Sequence, residues 1–152
     1  MKKRLFFLGA SAFLLVSCNS KPAKTTSAEQ PPVEKKSNEF CYSYTQNKDN
    51  VFLNFKMSDD SLILGKLNYH FHEKDSNDGI VQGQMRGDTL FLDYIFTSEG
   101  VETVREVVFL KKGEDFVEGY GDAEEKNGRM VFKNTSKLDF NNSILLKHVD
   151  CK

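Results

Sequence analysis

The chain has 152 residues, with 21 Lys and Arg against 22 Asp and Glu, so its net charge is near zero. That length suits one domain plus a tether rather than two domains. The charge is uneven: residues 39–152 hold 14 Lys/Arg and 20 Asp/Glu, a net −6, which argues against nucleic acid as a partner because phosphates need a basic surface.

In chain order, Lys2, Lys3 and Arg4 precede an apolar run from Leu5 to Val16, followed by Ser17 and Cys18. A positive start and a short apolar stretch form a secretory signal too short to span a bilayer permanently. Residues 1–17 are therefore expected to be removed. Leu15-Val16-Ser17-Cys18 resembles the bacterial lipobox, in which the cysteine becomes the first mature residue and carries lipid, palmitate included. Two or more acyl chains anchor stably where one does not. The expected address is a bacterial envelope membrane, reached through acylated Cys18.

Residues 18–38 hold four Lys, two Glu, all three prolines and no aromatic residue. This composition cannot bury enough surface to fold and reads as a semi-extended tether.

From residue 39 onward, aromatic and β-branched runs alternate with turn clusters every eight to twelve residues, the pattern of an all-β domain. Strands are predicted at Phe40–Gln46, Val51–Met57, Leu62–Glu73, Ile80–Arg86, Thr89–Thr97, Glu102–Lys111, Asp115–Gly121, Arg129–Lys133 and Ile144–Val149. Gly87-Asp88 and Asn127-Gly128 read as two-residue hairpin turns. The stretch Ser136–Asn142 is ambiguous between loop and helical turn. Leu67, Tyr69 and Phe71 share one face; so do Leu90, Leu92, Tyr94 and Phe96. With no amphipathic helix to cover a dry face, more sheet must do so.

The three cysteines are Cys18, Cys41 and Cys151. With lipid on Cys18, the favoured reading pairs Cys41 with Cys151, closing a loop of about 110 residues worth ~4–5 kcal/mol on the chain-entropy model. A disulfide brings Cα atoms within about 7 Å, so the first and last strands would be neighbours. A meander closed in that way is a small antiparallel, lipocalin-like β-barrel. Gly65, Gly83, Gly119 and Gly121 are expected at its bends.

Several groups bear on function. His70 and His72, with Glu73 and the distant His148, have metal-ligand chemistry, but they share a face with Lys66 and Asn68, so the expectation is surface histidines and no metal or other cofactor. Asp75-Ser76-Asn77-Asp78-Gly79 fails the register of a calcium loop and reads as a turn. Arg86-Gly87-Asp88 matches an adhesion tripeptide that its hairpin turn already explains. Tyr69, Tyr94, Arg105, Glu118 and Tyr120 are the candidate polar groups inside the barrel. There a buried Arg105 would need Glu118 as partner; the readings are a ligand cavity with a charge to orient the guest, a structural ion pair, or side chains that face outward. Motifs of nucleophilic or metal hydrolysis do not occur.

Glu-Lys-Asp-x-Asn-x-Gly (73–79), Gly-Asp-Thr-Leu (87–90), Asp-Tyr-x-Phe-x-Ser-Glu-Gly (93–100) and Arg-Glu-Val-Val-Phe (105–109), extended by Glu118–Asp122 and Cys151, resemble small Bacteroidota lipoproteins. That resemblance implies no activity. It does imply glycosylation matches at Asp60-Ser61-Leu62 and Asp88-Thr89-Leu90. The resemblance also implies a periplasm-facing protein, because surface-exported members carry acids soon after the lipidated cysteine and the first one here is Glu29; Asn19, which is not the aspartate of inner-membrane retention in similar lipoproteins, favours the outer membrane. The functional expectation is a non-enzymatic envelope lipoprotein binding a small apolar or amphipathic ligand. The alternative is a protein-interaction module with a filled core, and an envelope hydrolase stands third. A binding barrel needs an open cavity of several hundred Å³; a module should be solid and carry an exposed apolar patch.

Overall fold

The computed structural model of the protein describes residues 39–74, 76–141 and 144–151. Cys18, the tether and Asp75 lie outside them. Ten strands form: β1 (Glu39–Gln46), β2 (Asp49–Met57), β3 (Leu62–His70), β4 (Asn77–Arg86), β5 (Thr89–Ser98), β6 (Val101–Lys112), β7 (Asp115–Gly119), β8 (Ala123–Lys126), β9 (Arg129–Phe132) and β10 (Leu145–Val149). Strands β1 to β7 form an antiparallel meander, and β10 inserts between β7 and β1. These eight strands close a β-barrel, the expected fold class. Cys41 and Cys151 are disulfide-bonded, with their Cα atoms 5.3 Å apart.

Alternation explains which side chains fill the barrel, because successive residues point to opposite faces. Leu90, Leu92 and Tyr94 on β5 sit opposite Phe109, Val107 and Arg105 on β6. Leu53 on β2 faces Leu67 on β3 and Tyr42 on β1. Eight strands leave an interior about as wide as its own side chains, and here large ones occupy it. Tyr42, Phe55, Tyr69, Tyr94, Phe109 and Phe116 join Val51, Leu53, Leu67, Val81, Leu92 and Leu146 in one continuous buried cluster. Tyr42 meets Phe116 edge-on at 4.9 Å, and Tyr69 meets Tyr94 edge-on at 5.7 Å. The interior is therefore solid through its middle.

Gly65 and Gly83 face inward where adjacent strands approach closely. A Cβ at either would lie 2.0 Å from the neighbouring strand's carbonyl oxygen, of Asn54 or of Phe91. Gly119 and Gly121 do something else: a side chain there would strike Phe140 or Leu138, which cross the outside of β7.

The elements depart from expectation in three places. First, β3 ends at His70, not Glu73, because Glu73 takes a left-handed φ of 59° and the chain turns. Asn77 and Asp78 belong to β4 rather than to the turn. Second, β8 was not expected. Its Ala-Glu-Glu-Lys is exposed throughout and has no apolar alternation to mark it. Third, the β8–β9 hairpin stands outside the meander. It turns at Asn127-Gly128, both at positive φ, and β9 pairs parallel to β6 at Val104 and Arg105. The ambiguous stretch supplies a short 3-10 turn at Thr135–Lys137, capped by the Asn134 side chain.

Candidate functional site

The structure brings all five candidate interior groups to one end of the barrel. Alternation turns Tyr69 on β3, Tyr94 on β5, Arg105 on β6 and Glu118 on β7 toward the axis, and Tyr120 follows just beyond β7. Glu118 is the only buried charged residue among those described, at 3% exposure. Its carboxylate accepts from two phenols, Tyr69 at 2.6 Å on Oε1 and Tyr120 at 2.8 Å on Oε2. Tyr94 donates instead to the Asn77 carbonyl at 2.9 Å.

Arg105 does not form the buried ion pair that was one of the readings of these residues. It is exposed, and no Arg105–Glu118 pair forms within 4 Å among the described residues. Its guanidinium instead lies over three rings, 5.7 Å from Tyr69, 5.8 Å from Tyr94 and 5.9 Å from Phe96. Position 105 is one inward step beyond Val107, the last buried inward residue at this end of β6. At that rim a cation keeps its water and gains aromatic faces, so it escapes the desolvation that a buried pair would carry.

These surroundings set the proton affinities. Burial raises the Glu118 carboxyl above its ordinary 4.5; the Tyr69 and Tyr120 hydrogen bonds and the Arg105 charge pull the other way. Burial, then the Glu118 charge, pushes Tyr69 and Tyr120 upward. Burial also raises Tyr94 to about 12. All three phenols remain hydrogen-bond donors at neutral pH and are poor proton shuttles.

A cleft of about 210 Å³ opens beside this cluster, in the wall. It exists because β6 changes neighbours. Val108 to Lys112 pair with β7, whereas Val104 and Arg105 pair with β9. Between the diverging elements, Arg105, Glu106, Glu118 and Tyr120 line the cleft together with Met130 and Phe132 of the hairpin. The hairpin is held in place by the Arg129–Asp93 ion pair and by the Phe132 amide, which donates to Glu106 at 2.9 Å. At the opposite end, a mouth of about 140 Å³ is lined by Phe40, Met57, Met85, Lys111 and Phe116. Neither approaches the several hundred Å³ of an open ligand barrel.

The remaining groups do not converge. His70 pairs with Asp78 at 2.9 Å, while His72, beyond the strand, meets Lys48 at 3.2 Å and Glu73 at 3.5 Å. His148 meets the Tyr42 ring at a tilt, with centroids 5.4 Å apart, near the other end. No three His, Cys, Asp or Glu side chains could share a metal among the described residues. Arg86 ends β4 and covers the Phe91 ring at 5.1 Å. Sequence reasoning missed Phe96 as part of the arginine's aromatic seat, although its alternation with Tyr94 was visible. It also missed Met130 and Phe132, because nothing local signals the parallel pairing that brings them to Glu118.

Comparison of the chain with family models, curated proteins and solved structures finds no match.

Proposed function

We propose that this protein is a non-enzymatic, lipid-anchored envelope module that works through its outer surface and not by carrying a guest inside the barrel. The observation that carries this reading is the filled interior: fifteen buried side chains pack as one cluster along the axis. The outside offers what a partner would use. Leu62, Leu64 and Ile80 are 58%, 63% and 46% exposed on the outer faces of β3 and β4. Leu64 and Ile80 line one apolar groove with Phe55 and the stems of Lys56 and Lys66. Scattered exposed leucines need no explanation, but a contiguous groove favours a protein partner with apolar side chains. The anchor is acylated Cys18, in the outer membrane facing the periplasm.

Two experiments test this. A photo-crosslinking residue at Leu64 or Ile80 in living cells should give a discrete protein adduct that the same residue at Glu102 does not. Protein purified from its own membrane with a stoichiometric small molecule, and without an adduct at either position, would overturn the reading. Cys18→Ala should release the chain from the membrane fraction; unchanged fractionation would remove the anchor.

A further inference from the structure

The outer face of β4, β5 and β6 carries a polar notch of about 190 Å³ that neither the solid barrel nor the Leu64 groove accounts for. Register lays it out. Gln82 on β4, Asp93 on β5 and Glu106 on β6 lie directly opposite one another, and Gln84 lies opposite Phe91 in the next outward row. Arg86, two residues beyond Gln84, holds its guanidinium 5.1 Å from the Phe91 ring centre. Arg129 enters from the other direction, in register with Val104, and pairs with Asp93. The inward-facing Gly83 and Leu92 complete the lining.

The donors and acceptors of this notch are only partly used. Asp93 Oδ1 accepts from Arg129, and Glu106 Oε2 accepts from the Phe132 amide. The second oxygen of each carboxylate and the amides of Gln82 and Gln84 have no protein partner among the described residues. Arg129 gives Asp93 one nitrogen, Nη2, in place of the two-point fork common in such pairs, and its buried Nε has no partner. Two arginines and two acids line the space, so a ligand of either sign meets repulsion as well as attraction. The complement is a neutral molecule that donates and accepts at closely spaced points, as hydroxyls do. A peptide backbone also does both, but it adds along an open strand edge. Here β4 lies between β3 and β5, and β5 lies between β4 and β6.

We propose that this notch binds one ring of a neutral saccharide. Neighbouring hydroxyls of the ring span the Asp93 and Glu106 carboxylates and the Gln82 and Gln84 amides, and its C–H face rests beside Phe91 and Arg86. A space of about 190 Å³ takes one such ring and leaves the rest of a chain in solvent.

Maltotriose, galactotriose and mannotriose present three hexose configurations without charge. Trigalacturonate and deacetylated chitotriose add negative and positive charge, and triethylene glycol is a flexible control with few hydroxyls. The full lipidated chain in lipid nanodiscs, labelled with nitrogen-15, reports the site through its side-chain amides. Gln82 and Gln84 line the notch, whereas Gln46 and Asn68 lie outside it and serve as internal controls. At least one neutral trisaccharide should shift Gln82 and Gln84 saturably and leave Gln46 and Asn68 in place, and neither charged sugar should bind more tightly than that one. Gln82→Ala and Gln84→Ala together should weaken binding about tenfold or more, read at the backbone amides of Phe91 and Asp93. Both side chains are exposed and lack protein partners, so the double variant keeps its fold. A flat titration with all three neutral sugars, an equal response to triethylene glycol, tighter binding of a charged sugar than of every neutral one, or full binding by the double variant would each overturn the assignment. Leu64 lies opposite Gln82 in register, but its crosslink reports a protein and these titrations a sugar, so the two readings fail separately.

Discussion

The two ends of the barrel are built from the same alternation and closed by opposite means. At one end, Phe40, Tyr42, Phe55 and Phe116 pack ring on ring, and the disulfide fastens β1 to the residues after β10. At the other end, the inward positions pass from Val107 to Arg105 and from Phe116 to Glu118, and closure depends on phenol–carboxylate hydrogen bonds and a guanidinium over aromatic faces. The first end holds both chain ends of the described domain. The second lies away from them and has an opening in its wall. The disulfide and the ring packing therefore gather at the end that holds the chain ends, and the polar chemistry at the other.

Removing the clasp should give the largest effect at the packed end. Cys41→Ser or Cys151→Ser should lower the unfolding free energy of oxidised protein by about 4–5 kcal/mol, the chain-entropy figure for a loop of this length; urea denaturation reads it. Phe116→Ala should cost about 3–4 kcal/mol through the cavity it leaves among Tyr42 and Phe55. At the polar end, Tyr69→Phe removes one of two donors to a buried carboxylate and should cost about 1.5–3 kcal/mol at neutral pH. If that loss matched Phe116→Ala, the contrast between the ends would be wrong.

The pH response sharpens the same comparison. The Glu118 carboxyl is raised in the folded state. Its protonation therefore contributes stability that is complete below the unfolded value near 4.5 and is lost as pH rises through the folded value. Wild-type stability should fall relative to Glu118→Gln across that window, as measured by urea midpoints of both proteins from pH 4 to pH 8. Parallel profiles would mean that Glu118 does not titrate as a buried group. The smallest effect belongs to the outer groove, where Leu64→Lys should change stability by about 0.5 kcal/mol or less.

Much of this architecture is legible in the sequence, for identifiable reasons. Period-2 runs such as Leu90 to Phe96 state both strand and face, and two cysteines at the domain's extremes imply closure. Face is not depth, however. Alternation turns Arg105 inward, but only the barrel's length decides that position 105 lies at the rim. The same pattern carries past His70 into Phe71 and His72, although the chain has already begun to turn before Glu73. The hairpin strand Ala123–Lys126 has no apolar period to read. Its neighbour β9 finds β6 by a parallel, non-local pairing that leaves no mark in either segment, so the cleft beside Glu118 was not foreseeable.

A barrel whose axis is occupied by its own side chains underlies both the contrast between the ends and the outward-facing function. Methyl resonances of Leu53, Leu67, Leu92 and Leu146 report that axis directly. Titration with a fluorescent naphthalene sulfonate or a medium-chain fatty acid should leave all four unshifted at saturation. Saturable movement of these methyls together would show a guest within the barrel and contradict a solid interior.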